Sequence, residues 1–349
     1  MRGIVFNGNR QIELMEFPDP TPGPGEVVIE IKASGMCGSD LKMYRAQDGG
    51  VAALGFNVSD GPVIAGHEPC GVVAAVGAGV SAAQARVGQR VMDHHYCGCG
   101  VCNQCRVGWS QLCPAGFVVY GVTAHGAHAP YMKVPARTLV PLPDELSFET
   151  GAAIACGTGT AYGALRRLNL SGRDTIAIFG QGPVGLSATQ LAVAMGARVI
   201  ALDINADRRL AAQALKADVV LDPLAEDPVA ALQALTHGAG VDCALDCSGA
   251  SEARLQAVRG TRTWGTVCFV GEGDTVTLDV SRDLIRKQLT IVASWTFSSV
   301  GQAECARFIA DRGIEVDRLF SDRYRALSDA VAAYELFDTQ TTGKGVFLL

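Results

Sequence analysis

The sequence contains no run of lysine or arginine, and charged residues are few. Lys and Arg number 29 against 35 Asp and Glu, which gives a net charge of -6. Proteins that bind nucleic acid need a concentrated basic surface to neutralise phosphates, so we expect no nucleic-acid partner. Charged residues make up only 18% of the chain and hydrophobic residues 48%. This composition excludes a disordered chain and predicts packed cores.

Signals for export and for membrane insertion are also lacking. The first residues contain no apolar segment followed by a small-residue cleavage site, so we expect a cytoplasmic protein. The uncharged stretch at residues 175–197 has the length of a membrane span, but it contains Gly180, Gly182, Pro183 and Gly185. These residues would divide a spanning helix. We therefore expect no membrane segment.

What is present favours two domains. A chain of 349 residues exceeds the roughly 250 to 300 residues that one hydrophobic core organises. Residues 1–150 consist of short β segments separated by Pro and Gly, whereas from residue 151 strands alternate with Ala-rich helices. Such alternation predicts an α/β domain with a parallel sheet and helices on both faces.

A glycine motif inside the second region indicates a dinucleotide site. Gly180, Gly182 and Gly185 follow the apolar segment TIAIF and begin a predicted helix, and Asp203 ends the next apolar segment. This context predicts a loop that holds a pyrophosphate against a helix N-terminus. Asp203 would accept hydrogen bonds from the adenosine ribose and would repel a 2'-phosphate, which favours NAD over NADP. Arg208 and Arg209 follow closely and leave NADP as the alternative.

The twelve cysteines point to metal binding more than to disulfides, because a cytoplasmic chain stays reduced. Cys99, Cys102, Cys105 and Cys113 are separated by two, two and seven residues. This spacing suits a structural Zn²⁺ with four thiolate ligands, and an iron–sulfur cluster is the alternative. Cys97 lies outside the spacing.

The segment that carries Cys99, Cys102, Cys105 and Cys113 is called the lobe below. Together with several other motifs, it makes the chain resemble the zinc-containing medium-chain dehydrogenase/reductase superfamily of alcohol, sorbitol and threonine dehydrogenases. The motifs are GMCGSD at 35–40, GHE at 66–68, ACGTGTAYGAL at 155–165, FGQGPVGL at 179–186 and LDIN at 202–205. The resemblance implies a GroES-like β-rich catalytic domain at 1–150, with a zinc lobe at 95–115, and a Rossmann nucleotide-binding domain at 151–292. Residues 293–349 would return to the catalytic domain, and the catalytic zinc would lie in the cleft between the domains.

The resemblance further implies a second, catalytic zinc held by Cys37, His67 and Cys156, so that each chain would bind two zinc ions. Three ligands of this kind leave one tetrahedral position for water or substrate. Glu68 would be a fourth ligand or an outer neighbour, and Asp40 would orient His67. Cys156 distinguishes this chain from its sorbitol and threonine dehydrogenase relatives, in which the resemblance implies a carboxylate at this position.

The implied reaction is reversible hydride transfer between an alcohol carbon and the nicotinamide ring. Ser39 matches the hydroxyl that takes up the proton in this family, and its alternative role is to cap the following helix. Lys42 stands where many relatives carry a relay histidine, so the proton path beyond Ser39 is open. The alternatives for Lys42 are a proton relay, a contact with a cofactor phosphate and a surface lysine.

Motif positions place further residues near the ligands. Those near the cofactor are Thr160, Gly180, Gly182, Pro183, Val184, Gly185, Asp203, Arg208, Val270, Gly271 and Lys344. His95, Glu272 and Trp295 would form a polar pocket for a substituted alcohol such as a polyol or amino alcohol, unless His95 and Glu272 face solvent. The resemblance implies a homodimer or homotetramer. The rival functions are a non-catalytic nucleotide-binding protein and an NADP-linked carbonyl reductase.

Overall fold

The computed structural model describes residues 1–47, 61–339, 341 and 343–349. The chain forms two compact units. Unit 1 comprises Met1–Gly159, Ser298–Gln340 and Lys344–Leu349, and unit 2 comprises Thr160–Phe297 and Thr341–Gly343.

The described residues contain strands throughout the chain. They are β1 (Arg2–Gly8), β2 (Gln11–Glu16), β3 (Glu26–Gly35), β4 (Pro69–Val76), β5 (Arg90–Asp93), β6 (Tyr96–Cys97), β7 (Val118–Val119), β8 (Tyr131–Pro135), β9 (Leu139–Pro141), β10 (Thr175–Phe179), β11 (Arg198–Leu202), β12 (Val219–Leu221), β13 (Val241–Asp246), β14 (Thr261–Phe269), β15 (Thr290–Ala293), β16 (Phe320–Tyr324) and β17 (Lys344–Leu348).

The α-helices lie between and after these strands. They are α1 (Asp40–Arg45), α2 (Asn103–Arg106), α3 (Phe148–Ile154), α4 (Gly157–Arg167), α5 (Pro183–Ala194), α6 (Ala206–Ala214), α7 (Pro228–Leu235), α8 (Ser251–Gly260), α9 (Ser299–Arg312) and α10 (Ala330–Asp338).

Unit 1 is built on a seven-stranded sheet in the order β16-β17-β3-β4-β5-β9, with β8 also paired to β3. Apart from the parallel pair β16 and β17, its neighbours are antiparallel. The central strand β3 alternates apolar residues with others and buries Val27, Ile29 and Ile31 in one core. Such alternation is what a sheet with one strongly buried face requires.

Unit 2 contains a six-stranded parallel sheet in the order β12-β11-β10-β13-β14-β15. The strand order reverses direction at β10, whose neighbours are β11 and β13. A crevice at such a switch point, beyond the carboxyl ends of the strands, is where doubly wound sheets bind dinucleotides. The α/β fold predicted from the alternation of strands and helices is therefore confirmed.

The units end at slightly different residues from those predicted. Unit 1 continues to Gly159 rather than 150 because α3 packs on β3 and β4, and Thr150 Oγ1 donates to Asp317. Unit 2 continues to Phe297 rather than 292 because β15 pairs with β14, and Ser294 N donates to Phe269 O. Both shifts follow from packing and pairing, which composition does not reveal.

The uncharged stretch at 175–197 folds as β10 and α5, separated by the glycine turn. In the part of the chain that the structure describes, every helix is too short or too polar to span a membrane.

Candidate metal centres and nucleotide site

Four side chains with metal-binding atoms meet in unit 1. The donor atoms of Cys37, His67, Glu68 and Cys156 all lie within 4.8 Å of one another. The two sulfur atoms are 3.8 Å apart, although the residues are separated by 119 positions in sequence. The structure therefore brings together the three predicted ligands and the predicted neighbour Glu68.

The four residues come from three separate segments of the chain. Cys37 follows β3, His67 and Glu68 directly precede β4, and Cys156 lies between α3 and α4. Close packing makes glycine necessary at position 35, because a Cβ there would overlap the Glu68 carboxylate. The GMCGSD and GHE motifs are thus two sides of one packed arrangement.

The electrostatics of the cluster favour a thiolate at Cys37. The hydrogen bond from Cys156 lowers the pKa of Cys37 well below its usual range, and the positive neighbours His67 and Lys344 help against the opposing effect of burial. Thiolate is the form that binds metal. Two sulfur donors, one imidazole and a nearby carboxylate form a donor set that suits zinc, so the residues present fit the implied metal.

Glu68 is held by a buried cation. Lys344 Nζ lies 2.6 Å from Glu68 Oε1 and 3.0 Å from the carbonyl oxygen of Met36. Burial raises the pKa of Glu68, and the ammonium group of Lys344 opposes this rise. Motif comparison predicted Lys344 as a cofactor residue and did not predict this pairing, which joins β17 to the metal cluster.

Ser39 and Asp40 lie on two sides of His67. Ser39 Oγ is 3.2 Å from His67 Nε2, and the Ser39 side chain makes no capping bond to α1. Asp40 Oδ1 lies 3.0 Å from His67 Nδ1, although the two atoms are off the ideal hydrogen-bond angle. The helix-cap alternative for Ser39 is therefore not what the structure adopts. Lys42 is half-buried on α1.

His95 is buried beside the cluster and does not face solvent. Its ring centroid is 5.2 Å from that of His67, and its Nδ1 lies 3.0 Å from the carbonyl oxygen of Ala155. A carbonyl only accepts, so Nδ1 carries the hydrogen. Burial lowers the pKa of His95 well below its usual value, which keeps the ring neutral.

The four-cysteine lobe forms a second cluster in unit 1, with the sulfur atoms of Cys99, Cys102, Cys105 and Cys113 also within 4.8 Å of one another. Backbone N–H groups of Val101 and Cys102 lower the pKa of Cys99 to about 6. The short strands β6 and β7 pair at the two ends of the lobe. All twelve cysteines are in described positions and none forms a disulfide.

Cys97 is separate from this cluster. Its sulfur accepts a hydrogen bond of 3.0 Å from Arg137, whose guanidinium also donates to the Gly98 carbonyl. The thiol is buried, and burial raises its pKa. Cys97 therefore packs as a neighbour of the lobe, as its position outside the spacing predicted.

The nucleotide motif occupies the switch point of the unit 2 sheet. Gly180 ends β10 with a φ of 87°, Gly182 caps α5, and Pro183 and Val184 form its first turn. A Cβ at Gly185 would overlap the Gly180 carbonyl. The N–H groups at the start of a helix that follows such a loop are the type of group that binds a phosphate.

Asp203 follows β11, next to this loop. Its carboxylate accepts from Gln181 N at 2.6 Å and from Asn205 N at 2.7 Å, so both oxygens are fixed in orientation. Arg209 binds the Asp203 carbonyl and Asp222. Arg208 Nε is buried and has no hydrogen-bond partner among the described residues, which makes it a donor open to a ligand.

Sequence reasoning did not predict the ion pair of Asp246 with Arg254 at the end of β13. Asp246, buried at the end of β13, accepts from Ser248 N, Gly249 N and Arg254 Nε. Arg254 also donates to the carbonyls of Gly271 and Asp274. The pair therefore ties the loop after β13 to the loop after β14. The sequence signal that could have identified Asp246 is its position, as an acidic residue at the end of a third apolar segment.

The remaining predicted residues also lie in unit 2. Val270 and Gly271 donate from their backbone N–H groups to the Asp246 carbonyl, and Gly271 packs against Gly249. Thr160 is buried in α4, whereas Glu272 and Trp295 are exposed.

Comparison with known proteins decides the family. Residues 23–144 match the alcohol dehydrogenase GroES-like domain, and residues 183–311 match the zinc-binding dehydrogenase domain. An uncharacterized zinc-type alcohol dehydrogenase-like protein of Escherichia coli is 38% identical over 99% of this chain and 98% of its own length. The chain belongs to the zinc-containing medium-chain dehydrogenase/reductase superfamily.

Other members of the superfamily are also similar along the whole chain. L-threonine 3-dehydrogenase of Pyrococcus horikoshii is 32% identical over 97% of this chain and 95% of its own. The structure of alcohol dehydrogenase TADH from Thermus sp. ATN1 superposes with a TM-score of 0.89 at 28% identity, covering 100% and 99% of the two chains. These matches confirm the predicted family and the GroES-like and Rossmann domains, and they show an oxidoreductase of the alcohol dehydrogenase type.

Proposed function

We propose that the protein is a zinc-dependent, NAD-linked dehydrogenase of a substituted alcohol, such as a polyol or an amino alcohol. The observation that carries this proposal is the meeting of Cys37, His67 and Cys156 with the Ser39 hydroxyl. A purely structural metal site has four protein ligands and no adjacent proton acceptor. Here the groups beside the three ligands are the Ser39 hydroxyl and the Glu68 carboxylate, which Lys344 already holds.

The residues of the chain divide the work of the proposed reaction. When bound, zinc supplies Lewis acidity that lowers the pKa of an alcohol, and NAD supplies the hydride acceptor. Ser39 accepts the proton of the alcohol as it passes its own hydroxyl hydrogen on toward solvent, Asp40 orients His67, and Lys344 restrains Glu68. Beyond Ser39 the proton path stays open, and Lys42 is a relay, a phosphate contact or a surface lysine.

Burial of His95 beside the cluster supports a substrate with extra polar groups. Its ring lies 5.2 Å from that of His67, which places a polar, neutral imidazole beside the proposed position of the substrate. Glu272 and Trp295 stay predicted pocket residues. The threonine dehydrogenase relative supports the amino-alcohol class.

The orientation of the Asp203 carboxylate supports NAD. A 2'-phosphate would place two negative charges together at this position. Arg208 is the residue that favours the alternative, an NADP-linked carbonyl reductase. The predicted homodimer or homotetramer and the cytoplasmic location also stay predictions.

The test is to follow NADH formation by the zinc-loaded protein across aliphatic alcohols, polyols and amino alcohols. We expect higher kcat/KM for the last two groups and for NAD over NADP. Cys37→Ala should lower kcat by at least about 100-fold, the scale for losing a group that stabilises developing charge. Cys305→Ala, at a cysteine buried in α9, is the matched control.

Three results would contradict the proposal. Binding of NAD without turnover of any alcohol would favour a non-catalytic nucleotide-binding protein. A preference for NADP and for carbonyl reduction would favour the reductase. Higher kcat/KM for long aliphatic alcohols would remove the substituted-alcohol assignment while leaving the dehydrogenase intact.

A further inference from the structure

A chain of buried hydrogen bonds leads away from the metal cluster into the core of unit 1. Tyr334 OH donates to Asp40 Oδ2 at 3.0 Å. The same hydroxyl lies 2.7 Å from His128 Nε2, and His128 Nδ1 lies 2.7 Å from Ser34 Oγ. Asp40, His128, Tyr334 and Ser34 are all fully buried. The four residues come from four segments, and three of them match no motif.

The hydrogen positions in this chain follow from chemistry. An ionised carboxylate accepts only, and a tyrosine hydroxyl has a single hydrogen. Because Tyr334 donates that hydrogen to Asp40, it must accept from His128 Nε2–H. A neutral imidazole carries one N–H, so His128 Nδ1 accepts from the Ser34 hydroxyl. Burial lowers the pKa of His128 to about 4, which keeps the ring neutral.

The same arrangement of hydrogen-bond donors and acceptors extends through Asp40 to His67. Asp40 Oδ2 is occupied by Tyr334 and by Cys37 N, which donates at 2.8 Å. These two bonds turn Oδ1 toward His67 Nδ1, at 3.0 Å. Nδ1 then carries the hydrogen and Nε2 is left with its lone pair on the side of Ser39 and the sulfur atoms, where a ligand to zinc must point.

The backbone around His128 supports the same arrangement. His128 N donates to the Ala65 carbonyl, and Ala127 N donates to the Gly66 carbonyl. Gly66 has a φ of 91°, and a Cβ there would overlap the His128 ring. The segment that leads into His67 is therefore built directly against His128.

The position of Tyr334 is otherwise apolar. Its ring packs edge-on against Phe6 at 4.8 Å and lies 5.9 Å from the ring of Tyr44, within a core cluster that includes Phe337 and Phe347. Phenylalanine would fill this space equally well. The hydroxyl accordingly serves the polar chain and not the packing.

We propose that Tyr334 and His128 are positioning residues for the catalytic metal centre, which they serve by fixing the Asp40 carboxylate and, through it, the hydrogen and orientation of His67. The inference rests on the proposed function, because it assumes a metal at Cys37, His67 and Cys156. Neither side chain touches the metal donors, so the proposed hydrogen-bond effect passes through Asp40, beside the packing of His128 against the segment that leads into His67.

The test compares Tyr334→Phe with Tyr44→Phe. The second substitution removes a hydroxyl from the same aromatic cluster but leaves the chain of hydrogen bonds intact. Metal affinity at the catalytic site is measured by chelator competition, and its geometry by the visible spectrum of the Co²⁺-substituted protein. Loss of an outer partner of a ligating histidine costs about 10- to 100-fold in affinity. We expect about tenfold weaker binding and a shifted spectrum for Tyr334→Phe, with Tyr44→Phe unchanged and the lobe metal retained in both.

A double-mutant cycle separates positioning from general stability. If Tyr334 acts through Asp40, Tyr334→Phe should have no further effect on metal affinity in an Asp40→Asn background. Full additivity would overturn the proposal, as would wild-type affinity and spectrum in Tyr334→Phe. Zinc bound only at the lobe of the wild-type protein would instead refute the proposed function.

Variants of His128 keep the test decisive if Tyr334→Phe does not fold. A glutamine can donate to Tyr334 and accept from Ser34, whereas a leucine can do neither. We expect His128→Gln to bind the catalytic metal within about threefold of wild type and His128→Leu to bind about tenfold more weakly. Equal affinities for the two variants would overturn the proposal.

Discussion

Lys344 Nζ lies 2.6 Å from Glu68 Oε1 and 2.5 Å from Oε2, and neither side chain is more than 2% exposed. The two residues are 276 positions apart. Their pairing holds the last strand of the chain against the segment that carries His67. Because both charges are buried, each depends on the other for compensation.

Removal of one partner should therefore cost more than removal of both. We expect Lys344→Met to lower the free energy of unfolding by about 3–5 kcal/mol, since it leaves a buried carboxylate without its cation. The double variant Glu68→Gln with Lys344→Met should recover most of this loss. Urea unfolding of the zinc-loaded proteins measures both values. A single variant as stable as the double variant would show that the pair has no such coupling.

Zinc content distinguishes the lobe cysteines from their neighbour. Cys105→Ser removes one of four thiolates, and we expect it to lose about one zinc per chain because a closed tetrahedral site needs all four ligands. Cys97→Ser should keep the wild-type content, since the Cys97 sulfur faces Arg137. Metal analysis after gel filtration gives both numbers. Loss of zinc from Cys97→Ser, or retention in Cys105→Ser, would contradict this assignment.

Cofactor preference should depend on Asp203. Asp203→Ser removes a charged acceptor whose bonds to ribose hydroxyls are worth about 1.5–3 kcal/mol, so kcat/KM with NAD should fall about 10- to 100-fold. The ratio of NADP to NAD activity should rise in parallel. Asp207→Ser, at an exposed position in the first turn of α6, changes the net charge equally and should leave the ratio unchanged. Initial rates with both cofactors provide the comparison.

Stability should fall with rising pH because of Asp93. Burial raises the pKa of Asp93 from 3.8 to about 7, and the Thr138 hydroxyl, 2.5 Å away, opposes the rise. Between these values the folded protein binds more protons than the unfolded chain, so unfolding free energy decreases by up to about 1.4 kcal/mol per pH unit.

The Asp93→Asn variant isolates this contribution from that of other buried groups. Between pH 5 and pH 7 its unfolding free energy should decline less than that of the wild type, as measured by urea titration at each pH. Asp144→Asn, at a carboxylate that is 97% exposed, should follow the wild type. An unchanged slope in Asp93→Asn would mean that Asp93 is ionised throughout this range.

The parts of the protein that were predicted correctly are those encoded over short distances. The turn from β10 into α5 needs glycines at fixed positions, and the four lobe cysteines lie within one loop. Family motifs then extended the prediction to Cys37, His67 and Cys156. The structure brings these three together, although no local spacing connects them.

Contacts between residues that are far apart in sequence were not predicted, because each residue type can serve several structural roles. Tyr334 in an apolar helix suggests only packing, and the motif position of Lys344 predicted a contact with the cofactor. Asp246 and Arg254 join two loops through hydrogen bonds to backbone groups, which leave no pattern in the sequence. The predicted domain bounds differ from those of the structure for a similar reason. Whether α3 and β15 belong to one unit or the other depends on the strands that they contact.

The sequence by itself determined the two architectures, the closed cysteine lobe and the nucleotide loop, because each depends on backbone conformation or on ligands close in the chain. Only the tertiary structure decided which buried charges and hydroxyls surround His67. Asp40 contacts Tyr334, which lies on a helix near the other end of the chain. Glu68 contacts Lys344, which lies on the final strand. Desolvation makes such partners obligatory, but which residues become partners is set by how the segments pack.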